Sequence, residues 1–155
     1  MRGKRAKSNI PDKDVRYQSE LAMAFINKIM LHGKKSLAER LFYSAIEGAA
    51  KQLKMEPMDL LNEVVVKVSP SLEVRSRRVG GANYQIPVPV SPRRQITLVI
   101  RWIVDAARSK VGAPFDVLLK REFIDAYNEH GDAFAKKISV EKMAEANKAF
   151  AHFRW

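Results

Sequence analysis

The stretch covering residues 74–90 constrains the fold more than any other part of the chain. Its side chains alternate with a period of two on both sides of the sequence GGAN, which is typical of a β-hairpin. Pro87 and Pro89 are two residues apart, so the positions without an N–H group lie on one edge, which cannot pair with a third strand. We therefore predict a bare two-stranded ribbon over residues 72–90. Three apolar side chains are expected to anchor it to the body: Leu72, Val88 and Val90.

Outside this stretch, apolar residues recur at the three- and four-residue spacing of amphipathic helices. Ser19 is a suitable N-cap, residues 36–39 (SLAE) fit a capping box, and Pro57 and Pro92 suit the first turn of a helix. Six helices are predicted, over residues 20–31, 36–53, 57–66, 92–110, 115–127 and 132–148. The fourth is expected to bury five side chains: Ile96, Val99, Ile100, Ile103 and Ala107. The predicted fold is mainly α, a six-helix bundle-like body with a protruding two-stranded β-ribbon and an extended basic N-terminal arm.

A chain of 155 residues with 46% hydrophobic residues is long and apolar enough to form one domain with a core of its own. We expect a single domain over residues 1–155, with the arm at residues 1–16. The chain contains no cysteine, which excludes disulfides and thiolate metal sites. No apolar run has the length of a membrane span, and the charged N-terminus is not followed by the apolar stretch of a secretory signal. We expect a cytoplasmic protein without a membrane partner.

The formal net charge of +11 is concentrated in two segments and indicates a polyanionic partner. Residues 1–10 contain no acid and four basic residues, Arg2, Lys4, Arg5 and Lys7. Residues 67–94 contain six basic residues against the single acid Glu73. The rest of the chain is close to neutral, whereas charge that served only solubility would be spread more evenly.

Sequence patterns for catalysis are weak. The sequence HGKKS resembles the end of a phosphate-binding loop, but that loop requires glycine at position 28, which is lysine. Asp12 and Asp14 could hold a metal ion between them, although a solvated turn is the favoured interpretation. The three histidines share no ligand spacing: His32, His130 and His152. We therefore predict a protein that is not an enzyme and has no cofactor and no metal site.

The predicted fourth helix carries arginines seven residues apart, which places them on one face. Arg94, Arg101 and Arg108 could form a phosphate-binding stripe continuous with Arg93 and the base of the ribbon. Alternatively, they belong to a solvated face on which Arg101 pairs with Asp105.

Further basic candidates lie elsewhere. Lys34 and Lys35 occupy the junction of the first two predicted helices, and Tyr84 could either stack on a base or pack across the ribbon. The ribbon arginines are Arg75, Arg77 and Arg78, with Arg75 and Arg77 expected on one face and Arg78 on the other. Arginine can bind phosphates in a fork or stack on unpaired bases, so a basic arm and a basic ribbon suit folded RNA.

Four stretches of the chain carry a resemblance to a known family. They are residues 19–45 (SELAMAFINKIMLHGKKSLAERLFYSA), 74–94 (VRSRRVGGANYQIPVPVSPRR), 101–108 (RWIVDAAR) and 142–155 (KMAEANKAFAHFRW). They resemble the bacterial small-subunit ribosomal protein seven family over nearly the whole chain. The resemblance implies six helices with a protruding β-ribbon. The chain departs from the family where Asp12 and Asp14 dilute the arm and where residues 135–142 are less basic; Lys136 and Lys137 are the candidates for RNA contacts there.

The resemblance also implies a function. It implies a structural constituent of the small ribosomal subunit that binds the 3′ major domain of its rRNA at multi-helix junctions and nucleates assembly of the head. The ribbon is then expected near the exit-site tRNA and the mRNA path, and the other partners are the neighbouring small-subunit ribosomal proteins of the head and platform. In some bacteria the family also represses its own operon. The RNA-binding candidates are Arg2, Lys4, Arg5, Lys7, Lys34, Lys35, Arg75, Arg77, Arg78, Tyr84, Arg93, Arg94, Arg101 and Arg108.

Two other classes of protein compete with this interpretation. A DNA-architectural protein also joins a helical body to basic β-arms, but such arms usually carry an apolar wedge at the tip, where this chain has GGAN. A nucleic-acid enzyme would need clustered carboxylates for metal ions, and the acidic residues here are spread over the predicted helices.

Overall fold

The computed structural model describes Gly3 and residues 12–153, and within them it shows six α-helices and one two-stranded antiparallel sheet. The elements are α1 (Glu20–Ile29), α2 (Lys35–Leu53), α3 (Pro57–Val68), β1 (Leu72–Val79), β2 (Ala82–Pro89), α4 (Pro92–Ser109), α5 (Phe115–Tyr127), α6 (Gly131–Ala146) and a C-terminal 3₁₀ helix (Lys148–Phe153). The predicted mainly α fold with a β-ribbon is confirmed. Most of the predicted N-terminal arm lies outside the described residues.

Local signals account for most of the helix boundaries. The Ser19 side chain accepts a hydrogen bond from the Ala22 amide and caps α1, as predicted, and α3 and α4 begin at Pro57 and Pro92. The predicted capping box at residues 36–39 is wrong. α2 begins one residue earlier with no side-chain cap, because its N-cap residue is Lys34, whose ammonium group has no acceptor for the helix amides.

The core of the body lies between α1, α2 and α5. Phe25, Phe42 and Phe123 form a mutual cluster with ring centroids 5.8 to 6.5 Å apart. Apolar side chains of α3 and α4 complete the same core. The prediction that Ile96 is buried is wrong, since it is 38% exposed. Residues 92–97 extend past the core, so α4 buries apolar side chains only from Leu98 onwards.

The ribbon forms where a hairpin is predicted, and its turn consists of Gly80 and Gly81 of the GGAN sequence. Val79 pairs with Ala82, and Gly80 and Gly81 have φ of 57° and 91°, the left-handed conformation that a two-residue hairpin turn of this kind requires. The amide of Val90 bonds inward to Ser71 at 3.2 Å, so the N–H positions of the prolines face the outer edge. No third strand pairs with the ribbon among the described residues.

The ribbon is nevertheless packed against the chain more closely than predicted. α6 lies against β1, and the C-terminal 3₁₀ helix lies against β2, where the rings of Tyr84 and Phe150 are 5.3 Å apart. Among the predicted anchors Val90 is buried, while Leu72 and Val88 are half-buried; Ile86, only 2% exposed, was not predicted as an anchor. The ribbon therefore has no third strand among the described residues, as predicted, but α6 and the 3₁₀ helix support it in a way that was not predicted.

Candidate nucleic-acid interface

The base of the ribbon is organised around one buried carboxylate. Glu73 is 8% exposed, and its Oε1 accepts a hydrogen bond from Arg75 Nε at 2.7 Å. Its Oε2 accepts one from Arg94 Nε, in the first turn of α4, at 3.2 Å. Burial by itself raises the pKa of Glu73, but the hydrogen bonds and charges of the two arginines outweigh burial and leave the pKa below its ordinary value. Glu73 is therefore ionised at neutral pH and joins the ribbon to α4.

Two further contacts fix the ribbon base to the body. Gln95 Nε2 donates to the carbonyl oxygen of Pro70 at 3.0 Å. Glu141 on α6 accepts hydrogen bonds from the amide and the hydroxyl of Ser71, at 3.1 and 3.2 Å. The base of the ribbon is thus tied to both α4 and α6, which limits how far the ribbon can pivot.

Beyond its base, the ribbon presents arginine to solvent. Arg75, Arg77 and Arg78 are all exposed, and strand alternation places the first two on the face opposite to Arg78. Tyr84 pairs with Arg77 across the ribbon and shares its face. Its ring is half-buried against Phe150, so one partner of the Tyr84 ring is within the chain itself. Cations on both faces allow the ribbon to contact two separate anionic surfaces.

The three arginines on α4 differ in their surroundings. Arg94 is held by Glu73, as described, and Arg93 beside it is exposed. Arg101 is exposed, and within the part of the chain that the structure describes it forms no ion pair. The predicted pair between Arg101 and Asp105 is wrong, because Asp105 pairs with Lys28 at 3.5 Å.

Arg108 is also exposed, but it has a structural role. It donates hydrogen bonds to the carbonyl oxygens of Lys28 and Ile29 at 3.3 and 2.9 Å. These carbonyls lie at the C-terminal end of α1, where a helix has unsatisfied acceptors and favours positive charge. The bonds satisfy acceptors at the end of α1, which lies at Ile29 and not at the predicted residue 31.

A second basic region surrounds the turn between α1 and α2. Lys34 and Lys35 are both exposed, and Lys35 is only loosely paired with Glu39, at 4.0 Å. Beside Lys34 lies a groove of about 570 Å³ that sequence reasoning did not anticipate. Its lining contains no carboxylate and consists of Ile29, Leu31, His32, Lys34, Leu37, Ala38, Leu41, Arg108 and Phe115. The 57% exposure of Leu31 is the clearest sign of this apolar surface, and it is visible only in the fold.

The segment before α1 departs from its prediction. Asp14 is fully buried instead of lying in a solvated turn. Its carboxylate accepts hydrogen bonds from the amides of Arg16 and Tyr17, at 3.1 and 2.8 Å, and from the hydroxyl of Tyr43. Burial of Tyr43 and the hydrogen bond from its hydroxyl to Asp14 raise the pKa of that hydroxyl. The predicted contacts of Arg2, Lys4, Arg5 and Lys7 lie outside the described residues, but the chain that leads to them is fixed to α2.

A buried ionic cluster on the body was also not predicted. Glu122 is fully buried, and its Oε2 accepts a hydrogen bond from Lys110 Nζ at 2.6 Å, while its Oε1 accepts one from the Ala133 amide at 2.9 Å. Burial lowers the pKa of Lys110, but the bond and charge of Glu122 reverse this and raise the pKa above its ordinary value. The cluster joins the segments that end α4 and begin α6 through α5.

Other site types find no support in the described part of the chain. In Gly3 and residues 12–153, no cluster of three or more histidine, aspartate or glutamate side chains could hold a metal ion. Over the same residues, none of the helices combines the length and the apolar character needed to cross a membrane. Lys137, a candidate in the less basic stretch, donates instead to the Lys67 carbonyl at 2.7 Å.

Comparisons with known proteins agree with the predicted resemblance. The model of the family described as ribosomal protein S7p/S5e matches residues 1–148. Small ribosomal subunit protein uS7 of Nautilia profundicola is 51% identical over 155 residues, which is the full length of both chains. Its counterpart in Dictyoglomus turgidum is 48% identical over 99% of this chain and 98% of that protein, and the one in Thermosipho africanus is 45% identical over the full length of both. This chain therefore belongs to the ribosomal protein S7p/S5e family.

Proposed function

We propose that the chain is a non-catalytic structural constituent of the small ribosomal subunit that binds rRNA, and so acts in the cytoplasm within the ribosome. The observation that carries this proposal is the arginine surface at the ribbon base. Arg75 on β1 and Arg94 in the first turn of α4 both bind the carboxylate of Glu73 there, and three further arginines follow on the same two elements: Arg77, Arg78 and Arg93. Guanidinium groups on two elements at once fit phosphates that are brought together by a folded RNA, because each can bind an anion with paired donors.

The identity of the RNA partner is inferred from the family to which the chain belongs. We infer that the RNA partner is the 3′ major domain of small-subunit rRNA, bound at multi-helix junctions, where the protein nucleates assembly of the head. The basic turn with Lys34 and Lys35 and the exposed Arg101 supply additional phosphate contacts on the body. Contacts in several places let one protein hold RNA helices that are distant in the RNA sequence, which is how binding can promote assembly.

The ribbon is proposed to lie near the exit-site tRNA and the mRNA path. Arginines on both of its faces support this, since one face can contact rRNA while the other meets a second nucleic acid. The remaining partners are the neighbouring ribosomal proteins of the head and platform. They are assigned through the family alone.

Competition between two nucleic acids tests the RNA assignment. The probes are a junction-containing fragment of the 3′ major domain and a DNA duplex of equal length, compared at one salt concentration because phosphate binding depends steeply on salt. We expect the RNA fragment to bind more tightly. Equal displacement by the duplex would favour the DNA-architectural alternative, for which the glycine turn at the ribbon tip offers no intercalating wedge.

A further inference from the structure

The carboxylate of Glu73 is buried, yet the two cations that it binds face solvent. The Glu73 side chain is 10% exposed, against 62% for Arg75 and 41% for Arg94. A surface arginine normally samples many rotamers, and ordering such a side chain costs entropy when a ligand binds. Glu73 removes much of that freedom before any ligand arrives, for one arginine on the ribbon and one on α4.

The hydrogen bonds leave both arginines able to bind an anion. Arg75 directs Nε and one terminal nitrogen at Oε1 of Glu73, whereas Arg94 uses only Nε, at Oε2. A guanidinium has five N–H donors, so each arginine retains donors for a phosphate. The spacing and orientation of those donors are set by a single side chain, because the two carboxylate oxygens each hold a different arginine.

From this geometry we infer that Glu73 is a positioning residue that determines specificity: it orients Arg75 and Arg94 as one phosphate-binding unit and disfavours polyanions whose phosphates do not match. The inference rests on the proposed function in RNA binding. A matching RNA meets donors that are already in place. A mismatched polyanion meets a group of three charges with a net charge of only +1, and it has to break hydrogen bonds to Glu73 before it can recruit either arginine.

The lowered pKa of Glu73 is consistent with this role, since the carboxylate keeps its charge at neutral pH. Glutamine could not replace it. A carboxamide has only one acceptor oxygen, and its NH₂ group would face the N–H donors of one arginine. The substitution Glu73→Gln therefore frees at least one arginine and raises the net charge by one.

A matched variant separates orientation from charge. Glu63→Gln on α3 makes the same change in charge at an exposed carboxylate that forms no hydrogen bond or ion pair in the described structure. Both variants and the wild type are titrated with the junction-containing RNA fragment and with a DNA duplex of equal length. We expect Glu63→Gln to strengthen binding to both probes by a similar factor.

Glu73→Gln is expected to strengthen duplex binding at least as much while reducing the preference for the RNA fragment roughly tenfold, the equivalent of one charge-assisted hydrogen bond. The slope of log K against log salt for the duplex should steepen by about 1 unit, because a freed arginine gains a phosphate contact. The same RNA preference in Glu73→Gln and Glu63→Gln would overturn the inference.

A second substitution covers the case in which Glu73→Gln loosens the ribbon. Glu73→Asp keeps the charge but shortens the side chain by one methylene, so it cannot reach both arginines. We expect a reduced preference for the RNA fragment at an unchanged net charge, and an unchanged preference would contradict the inference. A wild-type protein that does not discriminate between the probes would instead refute the proposed RNA-binding function, so the two failures are distinguishable.

Discussion

At the residue scale, similar side chains have different tasks. Arg101 and Arg108 lie on the same face of α4, and sequence periodicity treats them alike. The fold separates them, because Arg108 completes the C-terminal end of α1 whereas Arg101 remains available to a ligand. The difference cannot be deduced from spacing, since it depends on where α1 ends in space.

We therefore predict that two glutamine substitutions affect different properties: one affects RNA binding and the other affects stability. Arg101→Gln should reduce the salt slope for RNA binding by roughly 0.7 to 0.9 unit with no change in melting temperature. Arg108→Gln should lower the free energy of unfolding by about 1 kcal/mol, since it loses hydrogen bonds to helix-end carbonyls. Thermal melts and salt titrations of both proteins provide the measurement, and each variant is the control for the other. Identical behaviour of the two variants would contradict this division.

Gly131 offers a second prediction at this scale. It has a φ of 85°, and an added Cβ would come within 2.9 Å of Asp125 Cβ and 3.1 Å of Glu122 Oε1, in the buried ionic cluster. Gly112 has a φ of 97° but open space around it. Gly112→Ala should cost only the backbone strain, about 1 kcal/mol. Gly131→Ala should lower the free energy of unfolding clearly more than Gly112→Ala does, as measured by denaturant unfolding. Equal losses in the two variants would show that Asp125 and Glu122 move aside for the added methyl group without a loss of stability.

At the scale of elements, the ribbon was the most predictable part of the fold. Its alternation, its glycine turn and its spaced prolines are local signals. Together they specify how the two strands pair and which edge of the ribbon stays unpaired. Its supports were not predictable, because the contact between Tyr84 and Phe150 joins residues far apart in the chain and the end of the chain carries no periodic pattern. The role of Glu73 was missed for a related reason: a lone acid among arginines looks like simple charge balance until α4 is placed beside it.

The C-terminal 3₁₀ helix is predicted to brace the ribbon. Deleting residues 148–155 removes Phe150 and should leave Tyr84 more exposed. We expect faster amide exchange in β2 and little change in the exchange of α1, α2 and α5, whose core does not include the deleted residues. Hydrogen exchange of the full-length and shortened chains tests this, with the single substitution Phe150→Ala as the milder variant. Unchanged protection of β2 would show that the ribbon stands without the brace.

At the scale of the whole molecule, the core and the proposed interface are largely separate. The aromatic cluster and its apolar surroundings hold the helices together, whereas the described candidate arginines lie on the ribbon and on α4, away from the buried cluster. Sequence reasoning recovered this division because charge and apolar periodicity occupy different segments. It did not recover the groove beside Lys34, which is formed by residues from three separate parts of the chain.

This division predicts that the outer ribbon is dispensable for stability. Replacing residues 75–85 by a short Gly-Ser turn keeps Ile86 and Val90, so the melting temperature should fall by less than about 10 °C. Subunit assembly is expected to persist through the contacts on the body, while tRNA retention at the exit site should decrease. Thermal melts and tRNA occupancy on reconstituted subunits are the measurements. A larger melting loss would place the segment in the core, and normal tRNA retention would contradict the proposed role of the ribbon.

The position of the two prolines has a consequence for the protein before it meets any RNA. An open strand edge is a template on which a second copy can add its own strand, and a long exposed edge promotes aggregation. On β2, the outward-facing backbone positions of Pro87 and Pro89 have no hydrogen to donate, so a second copy finds an interrupted ladder. The two prolines therefore disfavour the addition of a second copy's strand to the β2 edge of the ribbon.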